Sequence, residues 1–578
     1  MAVAVAPQRV FVREAKDPVP TPAPRRGFHL RGAGLPWAVL VLCLVAFAFG
    51  APTISSAPAS QFGLLASASP LYGISILLAA VGFALAIRRG NMAAAVVGII
   101  AMIACERLPR ALSTEAPMYA WTYKHIGVVD LIQQNHALAR GTDIYNGWPG
   151  LFALTAWFSD LTGLSAVDIA HWFTPFFHLA MAGLTYAAAR AWRLSAEQAL
   201  TAVFLVATLN WVEQDYFAPQ ATAMILALGL FTIVGLSRER RTAVALALVI
   251  FTAATITHQL TPFWILLAVG LLVVGRRMRP WWIVIPLAAI VIGFFFYNFD
   301  IVREYKLFSI DVFSNAQTNN PRVGVLGQVF TSTLMRILSG SMWAATALVL
   351  ISRWRKRQPV WALGVLALSP ILILGGQNYG GEAVFRVFLY SLPGCAIALA
   401  PALLAGLRSN GARFGTAFAV LLLTTGLAAQ ANFGSWFTNL VTRDELAAAD
   451  AILAGSDFPA YIAPVVPVWP ERSSANYVKY AKFNDKYDHS MMFQEDLLGL
   501  HFESDAEYDK LMEMIGSRTD GSTYLVFTDQ MVNYGAYFGL FPYDAVPNLR
   551  KHLDKDPRWQ VIDKEQDVAV YVHRVAVK

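Results

Sequence analysis

GGQNYGGEAVFRVFLYSLPG, residues 375–394, places Glu382 and Arg386 at the mouth of an otherwise apolar run. A charge near a bilayer interior costs several kcal/mol unless it is paired or turned into a wet cavity, so such residues default to a functional reading. The spacing of four, acid first, puts both side chains on one helix face in the favourable order. Other loops expected on the same membrane side supply Glu115, Lys124, His125, Asp130, Asp143, Asp215 and His258. Together these predict a polar site roofed by loops.

The chain has 578 residues, 56% of them apolar and 14% charged, with a mean hydropathy of +0.48. That composition excludes a soluble protein of this length and predicts a polytopic membrane protein. Its apolar runs are continuous over about 16 to 25 residues and not ten-residue alternations, which favours helices over a barrel. Cys43, Cys105 and Cys395 all lie in apolar segments, so no disulfide framework is expected. The net charge of +7 gathers in short loops between spans, as topology signals do, and no nucleic-acid partner follows.

Residues 1–34 are Pro-rich and basic and read as a disordered cytoplasmic tail. Thirteen spans are expected over 35–432, near 35–52, 71–88, 91–107, 169–190, 197–212, 216–236, 242–257, 260–275, 281–299, 328–351, 359–376, 383–406 and 414–432. A long outer loop, 108–168, separates the third from the fourth, and WPGLFALTAWFSDLTGL at 148–164 within it reads as re-entrant or interfacial, with a short buried span as the competing reading. Basic clusters at 88–90, 190–193, 237–241, 275–279, 352–357 and 407–413 fall on alternate connections, the cytoplasmic ones by this count. With thirteen spans, residues 433–578 lie outside the cell as an extracytoplasmic α/β domain. STYLVFTD and WQVIDKEQDVAVYVHRV predict strands there, the second a hairpin, while AEYDKLMEMI and VPNLRKHLDKD predict helices. There is no internal repeat, dinucleotide or Walker glycine loop, HExxH or CxxC.

The outer loops hold the candidate chemistry. Glu115 and Asp130 are candidate general bases for an acceptor hydroxyl, or else interfacial acids in water. Lys124 and His125 are candidates to hold a phosphate, against snorkelling at the headgroups for Lys124. Asp143 is a weaker candidate from the same loop. In NWVEQDYFAPQA, 210–221, Pro219 is expected near a helix start, which makes Asp215 either a cap or a site residue, with Gln220 one turn in. His258 is either an interhelical hydrogen-bond partner or a ligand group. Arg386 would clamp a phosphate with Glu382 steadying it, or the two form a structural ion pair. The acids would suit Mg or Mn as a divalent cofactor, and no spacing specifies one.

The acid-rich outer loop, the NWxxQDYFxPQ stretch, THQLTP, YGGExxxR and the C-terminal α/β domain together resemble the GT-C superfamily of polyprenyl-phosphate-sugar glycosyltransferases, in particular the actinobacterial membrane transferases that build cell-wall polysaccharide. The resemblance implies a polyprenyl-phosphate sugar donor, a glycan or glycolipid acceptor, an outer-loop carboxylate as base and inversion at the anomeric carbon. It places the base at Glu115 or Asp130, with Asp143 as an outsider. The chain departs from the usual pattern in having two extra spans before the long loop, which leaves that choice open. A lipid-linked sugar flippase or polysaccharide transporter is the alternative from another class, and it would be expected to carry internal repeats and broken helices.

Overall fold

A computed structural model of the chain describes residues 34–237, 243–304, 323–375, 383–455, 457–518, 520–564 and 567–575. The helices of the first part are α1 (Gly34–Gly50), α2 (Pro70–Arg89), α3 (Met92–Arg107), α4 (Pro109–Leu112), α5 (Trp121–Asn135), α6 (Gly150–Thr162), α7 (Ala166–Ala191), α8 (Ala196–Leu209), α9 (Pro219–Ser237), α10 (Ala243–Thr257), α11 (Thr261–Val274) and α12 (Val284–Tyr297). Four longer or later helical runs, Leu326–Arg355, Trp361–Leu368, Ala383–Leu407 and Ala412–Phe433, complete the bundle.

Local signals in the sequence set these boundaries. Asn91 accepts a hydrogen bond from the Ala94 N–H at 3.1 Å to cap α3, and Ser195 with Gln198 forms a reciprocal capping box on α8. Gly90 ends α2 in the left-handed conformation at φ 68°, which a side chain would resist. Pro219 opens α9 and Pro262 lies in the first turn of α11, where the missing N–H costs least.

Six helices among the described residues are long and apolar enough to cross a membrane: Gly34–Thr53, Pro70–Arg89, Pro219–Ser237, Leu326–Arg355, Ala383–Leu407 and Ala412–Thr438. Each of the thirteen expected spans overlaps a helical run; of the seven outside these six, α7 has 26 residues and is bent from α6, and the rest are shorter. At 14 residues, α8 rises about 21 Å, short of the ~30 Å hydrocarbon core. It is also buried along most of its length inside the bundle, so neighbouring helices and not lipid surround it. The ambiguous segment forms α6, which bends by 111° from α7, the geometry of a broken span or a re-entrant loop.

The two ends of the bundle differ. At one end Arg88 donates to the carbonyls of Leu407 and Ser409, and Arg408 reaches Glu197 in the first turn of α8 at 2.6 Å, so two of the basic connections meet there. The opposite end carries the C-terminal domain. Its four-stranded sheet has the order β1 (Ala460–Pro464), β2 (Ser522–Thr528), β4 (Val568–His573), β3 (Trp559–Lys564). β1 and β2 run parallel, and β4 is antiparallel to β2 and β3. All seven residues of β2 are buried, as a central strand covered on both faces requires. Both predicted helices and the predicted hairpin are present, at Asp505–Gly516, Ala545–Leu553 and β3–β4.

The loop segment and this domain share one core. Tyr123, Ile126, Val129 and Phe152 from the 108–168 segment pack in the same cluster as Leu453, Ile462, Trp469 and Tyr477. Burial at this joint is the apolar term that holds the domain on the helices, at about 1.5–3 kcal/mol for each fully buried large side chain.

Candidate functional site

The chain leaves α3 through Cys105-Glu106-Arg107-Leu108-Pro109-Arg110, three ionisable groups within five residues of an apolar helix end. Pro109 starts α4, and this sharp connection turns Arg107 and Arg110 to one point. There they meet Asp215 from the loop between α8 and α9. Arg110 Nη1 lies 2.7 Å from Asp215 Oδ1, Arg107 Nη1 lies 3.5 Å from Oδ2, and His178 Nε2, in the middle of α7, lies 2.7 Å from Oδ2. Asn432, near the end of helix Ala412–Phe433, accepts from Arg107 at 2.6 Å and from Arg110 at 2.9 Å through its side-chain oxygen. Arg107 also donates to the Asn210 carbonyl and, at 3.1 Å, to Glu106 Oε2.

Every one of these side chains is essentially sealed from solvent: Glu106, Arg107 and Asp215 are 0% exposed and Arg110 is 4%. Charges are tolerated at such depth only when paired and hydrogen-bonded. Burial alone would raise the Asp215 carboxyl, but Arg110, His178 and Arg107 outweigh it and hold it well below the usual carboxylate range. Several buried atoms of the cluster make no hydrogen bond among the described residues, Arg107 Nε, Arg110 Nε, Asn210 Oδ1 and Asn432 Nδ2 among them. Glu106 Oε1 is buried and makes no hydrogen bond among the described residues.

A rim surrounds the cluster. Glu213 accepts from the Ser435 hydroxyl at 2.9 Å, and burial raises its carboxyl above the usual range. Gln220 donates to Gln214 Oε1 at 2.9 Å, one turn into α9. Trp211 packs edge-on against Phe385, next to Arg386. Near Arg386 lies His258, whose Nδ1 accepts from the Thr261 backbone N–H at 3.2 Å and sits 2.8 Å from the Thr261 hydroxyl, itself 2.8 Å from the Tyr390 hydroxyl. Burial and the Arg386 charge hold the His258 imidazole well below its usual value, which suits an Nδ1 that accepts. Glu382 lies outside the described residues.

No protein-family model and no curated protein matches the chain. Solved structures similar to it include two of one protein. They are crystal structures of ArnT from Cupriavidus metallidurans, one bound to undecaprenyl phosphate and one in the apo state, each with 12% sequence identity. The first covers 83% of this chain and 98% of that chain at a TM-score of 0.45, and the second covers 84% and 99% at 0.44.

The remaining expected site residues lie at the seat of the C-terminal domain. Glu115 accepts from the Arg443 backbone N–H at 3.3 Å, and Asp130 accepts from the Ala475 N–H at 2.8 Å. Lys124 pairs with Glu471 at 3.0 Å and lies 3.8 Å from Asp488, while Arg472 grips Asp488 at 2.6 Å and comes within 3.7 Å of Asp143. Asp143 also accepts from the Asn146 N–H at 3.0 Å. His125 Nδ1 donates to the Phe217 carbonyl at 2.7 Å, and burial pushes the ring down to about 4, so it is neutral near pH 7. That bond ties α5 to the loop bearing Asp215. The structure thus brings Asp215 into the buried cluster, sets His258 near Arg386, and engages Glu115, Lys124, Asp130 and Asp143 with the C-terminal domain.

Asp215 is not the cap of α9, since its carboxylate is spent on Arg110 and His178. The sequence reading did not single out Glu106, Arg107, Arg110, His178 or Asn432. A signal existed for most of them: ionisable groups at the end of an apolar helix and a lone histidine in FTPFFHLA. The cluster as arranged does not fit Mg or Mn, because guanidinium groups at 2.7 and 3.1 Å already hold the carboxylates that such an ion would need.

Proposed function

We propose that this chain is an integral membrane glycosyltransferase that takes a sugar from a polyprenyl-phosphate donor and passes it to a cell-envelope glycan or lipid. The observation that carries the reading is the fully buried Glu106–Arg107–Arg110–Asp215–His178 cluster, with one Glu106 oxygen left without a hydrogen bond. A scaffold has no use for so expensive a cluster. The meeting of basic connections at the opposite end supports a cytoplasmic face there and an extracytoplasmic face for the cluster and the C-terminal domain, in the plasma membrane.

In this reading the sealed cluster opens to the acceptor, and the ionised Glu106 Oε1 then accepts the proton of the acceptor hydroxyl as its oxygen attacks the anomeric carbon. The bond from that carbon to the phosphate oxygen breaks, the polyprenyl phosphate leaves, and the new bond forms with inversion. Arg107 and Arg110 stabilise the negative charge that develops on the leaving phosphate, and Arg386 and His258 line its approach. Asp215 sets the two guanidinium groups in place. Gln220 borders the sugar. Glu115 and Asp130 remain the rival bases, with Lys124, His125 and Asp143 as their neighbours at the domain seat.

The test is sugar transfer by the purified chain in lipid, offered radiolabelled polyprenyl-phosphate sugars and membrane-extracted acceptors. Transfer supports the reading. Movement of lipid-linked sugar between leaflets without transfer replaces it with a flippase.

A further inference from the structure

Asn432 and Glu106 are held on one guanidinium group. Arg107 Nη1 donates to Asn432 Oδ1 at 2.6 Å and its Nη2 donates to Glu106 Oε2 at 3.1 Å, so the carboxamide and the carboxylate occupy neighbouring corners of the same planar group. Asn432 Oδ1 also accepts from Arg110 at 2.9 Å. That fixes which way the amide faces, since the flipped group would set its N–H donors against two guanidinium groups. Nδ2 therefore turns away from both arginines, and it makes no hydrogen bond among the described residues although Asn432 is only 2% exposed. Glu106 Oε1 is in the same condition. One free donor and one free acceptor are thus each the second polar atom of a group whose first is bound to Arg107.

The backbone fixes this pair as well. Tyr72, fully buried in α2, donates its hydroxyl to the Cys105 carbonyl at 2.9 Å and packs its ring edge-on against Phe433 at 5.6 Å. Cys105 precedes Glu106 and Phe433 follows Asn432, so one tyrosine ties the end of α3 to the end of helix Ala412–Phe433. Side chains that act together on a substrate need such support from packed elements.

The two free atoms select what lies between them. A phosphate oxygen accepts from an amide but has no proton for Glu106, and it would bring a second negative charge beside the carboxylate. An ammonium group donates and cannot accept. A hydroxyl does both: its oxygen accepts from Nδ2, its proton goes to Oε1, and one lone pair remains. We infer that Asn432 binds the acceptor's hydroxyl, holding the nucleophilic oxygen between its own Nδ2 and Glu106 Oε1. The inference rests on the transfer reading and adds to it the residue that orients the nucleophile. In the step itself the remaining lone pair forms the bond to the anomeric carbon, the proton passes to Glu106, and the electrons of the breaking C–O bond leave with the phosphate. The Asn432 N–H stays on the attacking oxygen throughout, which keeps that lone pair aimed at the carbon.

The test exchanges the two groups. Glu106→Gln together with Asn432→Asp keeps the net charge of the cluster, leaves both arginines their acceptor oxygens, and returns one free donor and one free acceptor to the same space with their places swapped. Full chains in lipid are matched by melting profile. Single-turnover transfer from polyprenyl-phosphate mannose or glucose to membrane-extracted acceptors is then compared with binding of undecaprenyl phosphate alone. The exchanged pair is expected to transfer about tenfold or more faster than Glu106→Gln alone, the coupling of two groups that share a substrate atom, while binding undecaprenyl phosphate as the parent does. Asn432→Asp alone keeps an oxygen for both arginines and loses the donor, so it should raise the acceptor concentration at half-saturation about tenfold. No recovery in the exchanged pair, or acceptor saturation in Asn432→Asp that matches the parent's, would overturn the inference and leave the transfer reading in place. Loss of undecaprenyl phosphate binding in the exchanged pair would assign Asn432 to the leaving phosphate and overturn it too. A parent chain that transfers nothing would remove both.

Discussion

Asp215 joins two helices that the chain keeps far apart: its Oδ1 takes Arg110 at 2.7 Å, and its Oδ2 takes the imidazole of His178, also at 2.7 Å. Removing that one carboxylate strands two guanidinium groups in a sealed site. Asp215→Ala is therefore expected to cost about 3–5 kcal/mol, the usual penalty for breaking a buried pair. It should lower the melting temperature in lipid and abolish transfer with it. Asp215→Asn, which keeps the shape and loses the charge, should do the same in smaller measure.

At the domain seat, Glu471 is 2% exposed, and burial raises its carboxyl to about 7 despite Lys124 beside it. An acid with a folded-state value above its unfolded one contributes most below its unfolded value, near 4.3, and the contribution fades as pH rises to about 7. Asp488 has the opposite sign. Lys124 and Arg472 hold it low against burial, so its contribution is lost as pH falls below its ordinary value. Protection from hydrogen exchange across residues 457–518, corrected for the intrinsic base-catalysed rate, should thus fall from pH 5 to 7, and Glu471→Gln should flatten that slope.

His125 carries a separate pH signature. Burial keeps its ring neutral to about pH 4, well under its unfolded value of ~6.5, so its stabilising share is complete above ~6.5 and drains away as pH falls from there to about 4. His125→Phe should remove that dependence. It should also leave the Phe217 carbonyl unpaired, at a cost of about 1–3 kcal/mol in thermal unfolding.

Gly127 is where α5 comes against the backbone of Arg472. A Cβ there would overlap the Arg472 carbonyl oxygen. Gly127→Ala is expected to destabilise the seat by about 1–3 kcal/mol, visible as faster proteolysis within 457–518. Gly183→Ala in α7 is the control. It meets nothing within 4 Å, so it should be neutral or slightly stabilising.

The bundle was legible because apolar runs and basic connections report directly on helices and their sides. The β3–β4 hairpin was legible from alternation around a polar turn. β1 escaped, since AYIAP is five residues flanked by prolines and looks like a loop until β2 pairs with it. The cluster at Glu106 escaped for a different reason. Glu106 and Arg107 end an apolar span at 107, where charges are ordinary, and nothing local in the sequence shows that the chain turns them inward. Glu115, Lys124 and Asp130 stood out as polar groups, but their partners Arg443, Glu471 and Ala475 lie more than 300 residues further along the chain, a relation that only the fold supplies.

The most direct measurement compares single-turnover transfer from a polyprenyl-phosphate sugar by Glu106→Gln, Glu115→Gln and Asp130→Asn, each folded to the same melting profile in lipid. The account predicts that Glu106→Gln loses transfer by about two to four orders of magnitude, the range of a general base, while the other two retain most of it. Full activity in Glu106→Gln, with loss in Glu115→Gln or Asp130→Asn, would contradict it and move the reaction to the seat of the C-terminal domain.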